Sequence, residues 1–188
     1  MNGVLWQGDK RWGKIKLGEG GSTIGKAGCL LTCLAQASRA FGIDAAATPA
    51  TIQEKALAAG GRPFRGANAI TEDVAVANGI LVSHRVNEAE GQQRLRETIA
   101  KALGSGELVL LHVDHNSDRG GDPDADHWVL GTAIVHGDAK DDDVVVYADP
   151  ATADEATLSM HTLAGLTSWA GKPRTYRVRA VRVLKKSV

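Results

Sequence analysis

The sequence predicts an α+β fold, with helices in its first half and antiparallel strands in its second. Three observations carry this expectation. Leu30, Leu34, Ala37 and Phe41 recur at spacings of four, three and four, which is one apolar stripe on a helix. Helix-like segments, each with start and stop signals, continue to about residue 104. Beyond that point the texture changes to short runs rich in Val and Leu. Helices and strands are segregated rather than alternating. The expectation is therefore a single domain over 1–188, with a helical lobe over about 1–104 packed on an antiparallel sheet over about 105–188.

The glycine-rich first 26 residues read as an irregular segment wrapping over the domain. A helix over 28–41 follows, and Gly42 suits the position just after its end. The next is expected at 49–59, where Thr48 can cap, Pro49 suits the first turn and Gly60-Gly61 stop the helix. A short helix over 71–78 begins at Thr71 and closes at Gly79. Asn87 and Glu90 stand three apart, like a capping box, and predict a fourth helix over 88–103 ending at Gly104. Strands are expected at 107–114, 127–135, 143–149 and 175–184. In the last, Tyr176, Val178 and Ala180 alternate with arginines. There is no internal repeat.

Charge and composition exclude several classes. Lys plus Arg equals Asp plus Glu at 22 each, so no basic surplus points to nucleic acid or an acidic membrane. The N-terminus lacks the apolar stretch of a signal peptide, and no run approaches 18 apolar residues. Synthesis in the cytoplasm is expected, with release by phage lysis or injection as the route to any external substrate. The two cysteines, Cys29 and Cys33, lie four apart in one helix, where Cβ atoms stand about 5–6 Å apart, too far for a disulfide. Oligomeric state is not legible.

Four stretches carry chemistry: WQGDKRW (6–12), AGCLLTC (27–33), DADHWVLGTAI (124–134) and VVVYADP (144–150). Cys29 follows Gly28 at a helix start, where free N–H groups and the helix dipole favour thiolate over thiol. Gly28 would leave room for a substrate backbone. Cys33, one turn deeper, reads as a buried apolar residue. His127 opens a strand after a polar loop and could exchange protons with the thiol and a leaving amine. Among the other histidines, His84 and His161 lack strand patterns around them, and His112 reads as a core residue. Asp149 ends the following strand. A hairpin of 127–135 with 143–149 would bring Asp149 beside His127, to hold the imidazole. Asp before Pro150 also suits a simple turn. Trp128 could shield the pair from water or belong to the core.

In their order, these stretches resemble the papain-like superfamily, and within it the family of double-glycine leader peptidases and its stand-alone relatives. Gln7-Gly8-Asp9-Lys10-Arg11-Trp12, Gly28-Cys29 with Thr32, His127-Trp128-Val129 and Asp149-Pro150 match the family's four elements and span most of the chain. The resemblance implies a papain-like fold whose nucleophile helix lies in the helical half. It also implies a Cys29–His127–Asp149 triad, Gln7 as oxyanion donor, Gly28 and Trp128 against the substrate, and no cofactor. The implied activity is cleavage of a peptide or isopeptide bond in a peptide, a protein or the peptide of peptidoglycan. Where relatives have a Gly-Pro-Thr turn after the cysteine, this chain has Leu30-Leu31-Thr32.

Two other readings use the same residues. His112, Asp114, His115, Asp126 and His127 could form a metallohydrolase site, though His112 and His115, three apart on a strand, would face opposite sides. Alternating acids over 114–126 suggest calcium, yet Arg119 and Ala125 occupy the loop positions that need Gly and Glu. A papain-like binding module without catalysis is the remaining alternative.

Overall fold

The computed structural model describes residues 3–114, 127–139, 141–169 and 172–187. Helices α1 (Ile24–Ala27), α2 (Cys29–Ala40) and α3 (Pro49–Ala58) come first. A small hairpin, β1 (Phe64–Arg65) with β2 (Asn68–Ala69), and helix α4 (Thr71–Ala77) follow. Strand β3 (Ile80–Asn87) and helix α5 (Gln92–Gly104) precede β4 (Leu108–Asp114), β5 (His127–Val135) and β6 (Val144–Asp149). Strands β7 (Asp154–Ser159), β8 (Ala164–Trp169) and β9 (Lys172–Lys186) complete the order.

The local signals mostly do what their chemistry requires. Thr48 and Thr51 form a reciprocal capping box before Pro49 starts α3. The box at Asn87 and Glu90 also forms, but it closes only a 3₁₀ turn over Glu88–Glu90. Gly91, at φ 98°, then interrupts the backbone, so the expected helix over 88–103 begins at Gln92 instead.

The expected helical half on an open sheet is overturned. Strands β9, β4, β5, β6, β7 and β8 are paired in that order, and β8 pairs back onto β9, closing a six-stranded antiparallel barrel. The 15-residue β9 makes closure possible. One of its edges pairs with β4, from Arg177 opposite Asp114 to Leu184 opposite Leu108. The other changes partner, holding β8 near Lys172–Arg177 and β3 near Ala180–Lys186. Thus β3, within the first half of the chain, is part of the sheet, and His84 lies in a strand after all. These strands escaped prediction for a physical reason. DEATLS and AGLTSW contain few large apolar residues, and ILVSHRVN buries only Ile80 and Val86. Backbone pairing holds them, β7 and β8 within the ring and β3 along β9, rather than a strong apolar pattern.

Alternate residues of the barrel wall serve two cores. Val109, Leu111, Val129, Val145, Tyr147, Tyr176 and Val178 belong to one, to which α5 adds Leu95, Ile99 and Ala102. Leu110, Leu130, Ala148 and Leu184 belong to the other, covered by Leu30, Leu31 and Leu34 of α2, Ile52 of α3 and Val74 of α4. Burying each Leu or Ile of this kind stabilises the fold by about 1.5–3 kcal/mol. Together they clamp α2 against β5, the contact on which the site depends.

Candidate active site

The segment before α2 is tied down by close backbone contacts. Gly25 N donates to Gly13 O (3.0 Å), and Gly28 N to Ile24 O (2.7 Å). A Cβ on Gly28 would stand 2.5 Å from Ile24 O. Glycine is therefore needed there to let α1 and α2 meet. Cys29 begins α2 with no acidic residue in the first turn to oppose a thiolate. Leu30 and Leu31 are buried while Cys29 stays half-buried, and all three line one cavity.

His127 Nε2 lies 2.9 Å from Asp149 Oδ1, and both side chains are buried. The hairpin brings them together, though not directly across from one another. Register between β5 and β6 runs to Leu130 opposite Ala148. One step further, Asp149 faces Val129, and His127 is its diagonal neighbour on the same face, within side-chain reach. Asp149 does serve as a turn residue: Ala151 N donates to its Oδ1 at 2.8 Å. That bond and the histidine contact fix one carboxylate oxygen from two sides. Tyr176 of β9 donates its hydroxyl to the other oxygen, Oδ2, at 2.8 Å, and its ring centroid lies 5.7 Å from that of His127.

With Nε2 engaged by Asp149, Nδ1 is left for the hydrogen bond between His127 and Cys29. Burial pushes the Cys29 thiol up, but the His127 hydrogen bond and charge, with the backbone amides of Trp128 and Leu30, outweigh it and leave the thiol below its ordinary value. Burial likewise opposes a charge on His127, yet Asp149 and the Cys29 sulfur together raise it to about 10. Asp149 is held below the ordinary carboxylate value: burial opposes this, and His127, Ala151 N–H and the Tyr176 hydroxyl prevail. All three shifts run in the direction that favours a thiolate–imidazolium pair braced by a carboxylate. Cys33 differs in kind. Burial and the nearby acidic groups push its thiol far up, and its Sγ donates to Trp128 O at 3.4 Å.

Gln7 is buried and tied to both sides of the site. Its backbone N–H donates to Pro150 O (2.9 Å), next to Asp149, and its Nε2 donates to Gly25 O (3.1 Å), just before the nucleophile. One Nε2 hydrogen remains, and Oε1 has no partner among the described residues. Asp9, bonded to Arg11, and the buried Trp12, whose Nε1 donates to Trp6 O, shape the turn that presents Gln7. Gln7, Cys29 and His127 line one cavity of about 300 Å³ together with Leu31, His112 and Trp128.

Trp128 faces away from the His127–Asp149 pair, as alternation along β5 requires. It stacks on His112 with centroids 4.1 Å apart, and the Arg182 guanidinium sits 4.8 Å from its ring centroid. It lines the cavity and packs against the core that α2 covers. Sequence reasoning missed two residues. His112, taken for a core histidine, lines the cavity opposite Trp128 in the β4–β5 ladder. Tyr176 shows in sequence only the alternation of an inward-facing strand residue, and its place beside Asp149 depends on barrel closure.

Among the described residues no group of three or more His, Cys, Asp or Glu could hold a metal ion. His115 and Asp126 of the metallohydrolase reading lie outside the described residues, as does the calcium-like stretch except Asp114, which pairs with Arg179 at 2.8 Å. Nor is any described helix long and apolar enough to cross a membrane. No protein-family model matches the chain, and no curated protein matches it. Its function has to be read from the geometry.

Proposed function

We propose that the protein is a cysteine hydrolase that cleaves an amide bond, peptide or isopeptide, through an acyl-thioester on Cys29. The observation that carries this reading is the chain of contacts Cys29–His127–Asp149–Tyr176 at a cavity that Gln7 also lines. The Cys29 thiolate attacks the carbonyl carbon, and negative charge moves to the carbonyl oxygen. The free Nε2 hydrogen of Gln7 and the N–H of Cys29, in the first turn of α2, are the donors for that oxygen. His127 gives its proton to the departing nitrogen as the C–N bond breaks and the thioester forms. Water then adds to the thioester with His127 taking its proton, and the thiolate leaves the new carboxylic acid. Asp149 keeps the imidazole oriented throughout and stabilises it whenever it carries the proton.

The resemblance to the double-glycine leader peptidases belongs to the same proposal, which names peptide, protein or peptidoglycan-peptide substrates. The test combines a peptide library and peptidoglycan fragments with mass spectrometry of the quenched protein. Turnover with a transient mass increase on Cys29 is expected. Equal turnover by Cys29→Ala, or activity abolished by a chelator while Cys29 stays unmodified, would sink it.

A further inference from the structure

The charges lining the catalytic cavity are one-sided. Its described lining includes Lys26, Cys29, His112 and His127 as ionisable groups and not one carboxylate. In the ion-pair state Cys29 and His127 offset one another, and Asp149 lies behind the histidine with no exposure. Among the described lining residues that leaves Lys26 as the standing charge. Lys26 ends α1, three residues before the nucleophile, and is exposed. No ion pair to it is seen among the described residues. The rest of the wall near it is neutral and small or apolar: Ala27, Ala67, Ala69 and Leu17, with Asn68 as the polar exception. A cation at the rim of such a wall, with no carboxylate among the described lining residues, favours an anion brought by the substrate.

Building on the hydrolase reading, we propose that this site selects substrates carrying a carboxylate beside the scissile amide, and that Lys26 is the residue that selects it. A carboxylate of this kind is an acidic side chain or a free C-terminus. A substrate with a lysine or arginine at the same place meets Lys26 as a like charge and is disfavoured.

Two alkylating reagents of similar size and opposite character test this without knowledge of the substrate. Iodoacetate is an anion and iodoacetamide is neutral; in each case the sulfur forms one S–C bond and iodide leaves. Labelling rates of Cys29 are read by mass spectrometry in the intact protein at neutral pH and low salt, as the iodoacetate-to-iodoacetamide ratio relative to a free thiol. His127 favours the anion in every variant, so dependence on Lys26 is the decisive quantity. The ratio is expected to fall about three- to tenfold in Lys26→Ala, further in Lys26→Glu, and to shrink with added salt. An identical ratio in all three proteins overturns the subsite while leaving the hydrolase reading standing. Labelling of Cys29 no faster than a free thiol by either reagent overturns both. N-acetylglutamine and N-acetylisoglutamine are isomers with the carboxylate on the backbone or on the side chain. Protection of Cys29 by either one that is lost in Lys26→Glu supports the subsite, and the more effective isomer identifies the source of the carboxylate.

Discussion

The first and second turns of α2 each hold a cysteine, and they could hardly differ more. Cys29 meets free N–H groups, a histidine and a cavity, and its thiol is lowered. Cys33, four residues on, meets apolar core and the Trp128 carbonyl, and its thiol is raised. The same side chain on the same helix is suited to nucleophilic attack or to packing according to what stands opposite it. Electrostatic surroundings decide reactivity, and a helix provides the favourable ones only in its first turn.

The largest expected effect separates the two thiols. Cys29→Ala should lower turnover by about four orders of magnitude or more with the fold intact by circular dichroism, whereas Cys33→Ala should retain most of it. Comparable losses from both would erase the distinction. Next comes the brace behind the nucleophile. Asp149→Asn removes the charge that sustains imidazolium, so kcat should fall by about 10²–10⁴. Hydrolysis by the wild type should also decline on the alkaline side around pH 10, where His127 loses its proton, while alkylation of Cys29 does not. A parallel decline of both would place the limb elsewhere than on His127.

Tyr176→Phe probes the brace more gently. The hydroxyl helps keep Asp149 ionised, so its loss should shift the acid limb of the pH–rate profile upward and cost about tenfold in kcat/KM. An unshifted profile with the same rate loss would mark Tyr176 as packing alone. The smallest effect is on stability. Cys33→Ala, which loses a weak hydrogen bond and some packing, should cost about 1 kcal/mol by denaturant midpoint.

What could be read from sequence follows the range of the forces involved. Cys29, His127 and Asp149 were legible because each sits at a local boundary: a glycine before a helix, a polar loop before a strand, an Asp-Pro turn after one. Gln7 was legible only through the resemblance. Tyr176 and the barrel were not legible, because β8 meets β9 through backbone bonds that any side chain permits. Gly91 shows the same limit, since a correct capping box still left the helix start in the wrong place. The packing need for Gly28 was not legible, because the atom that crowds it, Ile24 O, is a contact of three-dimensional packing. The expected open sheet failed for want of any apolar signal in DEATLS and AGLTSW.

The closure of the barrel by β9 gives the chain a timetable. Cys29, His127 and Asp149 emerge during synthesis before any of residues 172–186, yet Tyr176 and the strand that completes the ring come only with that last segment. Pairings so distant in sequence form late, because a long loop must close before they gain anything. A nascent chain would thus hold Cys29 and His127 without the frame that aligns them, and the proposed activity would wait until the final strand was laid in.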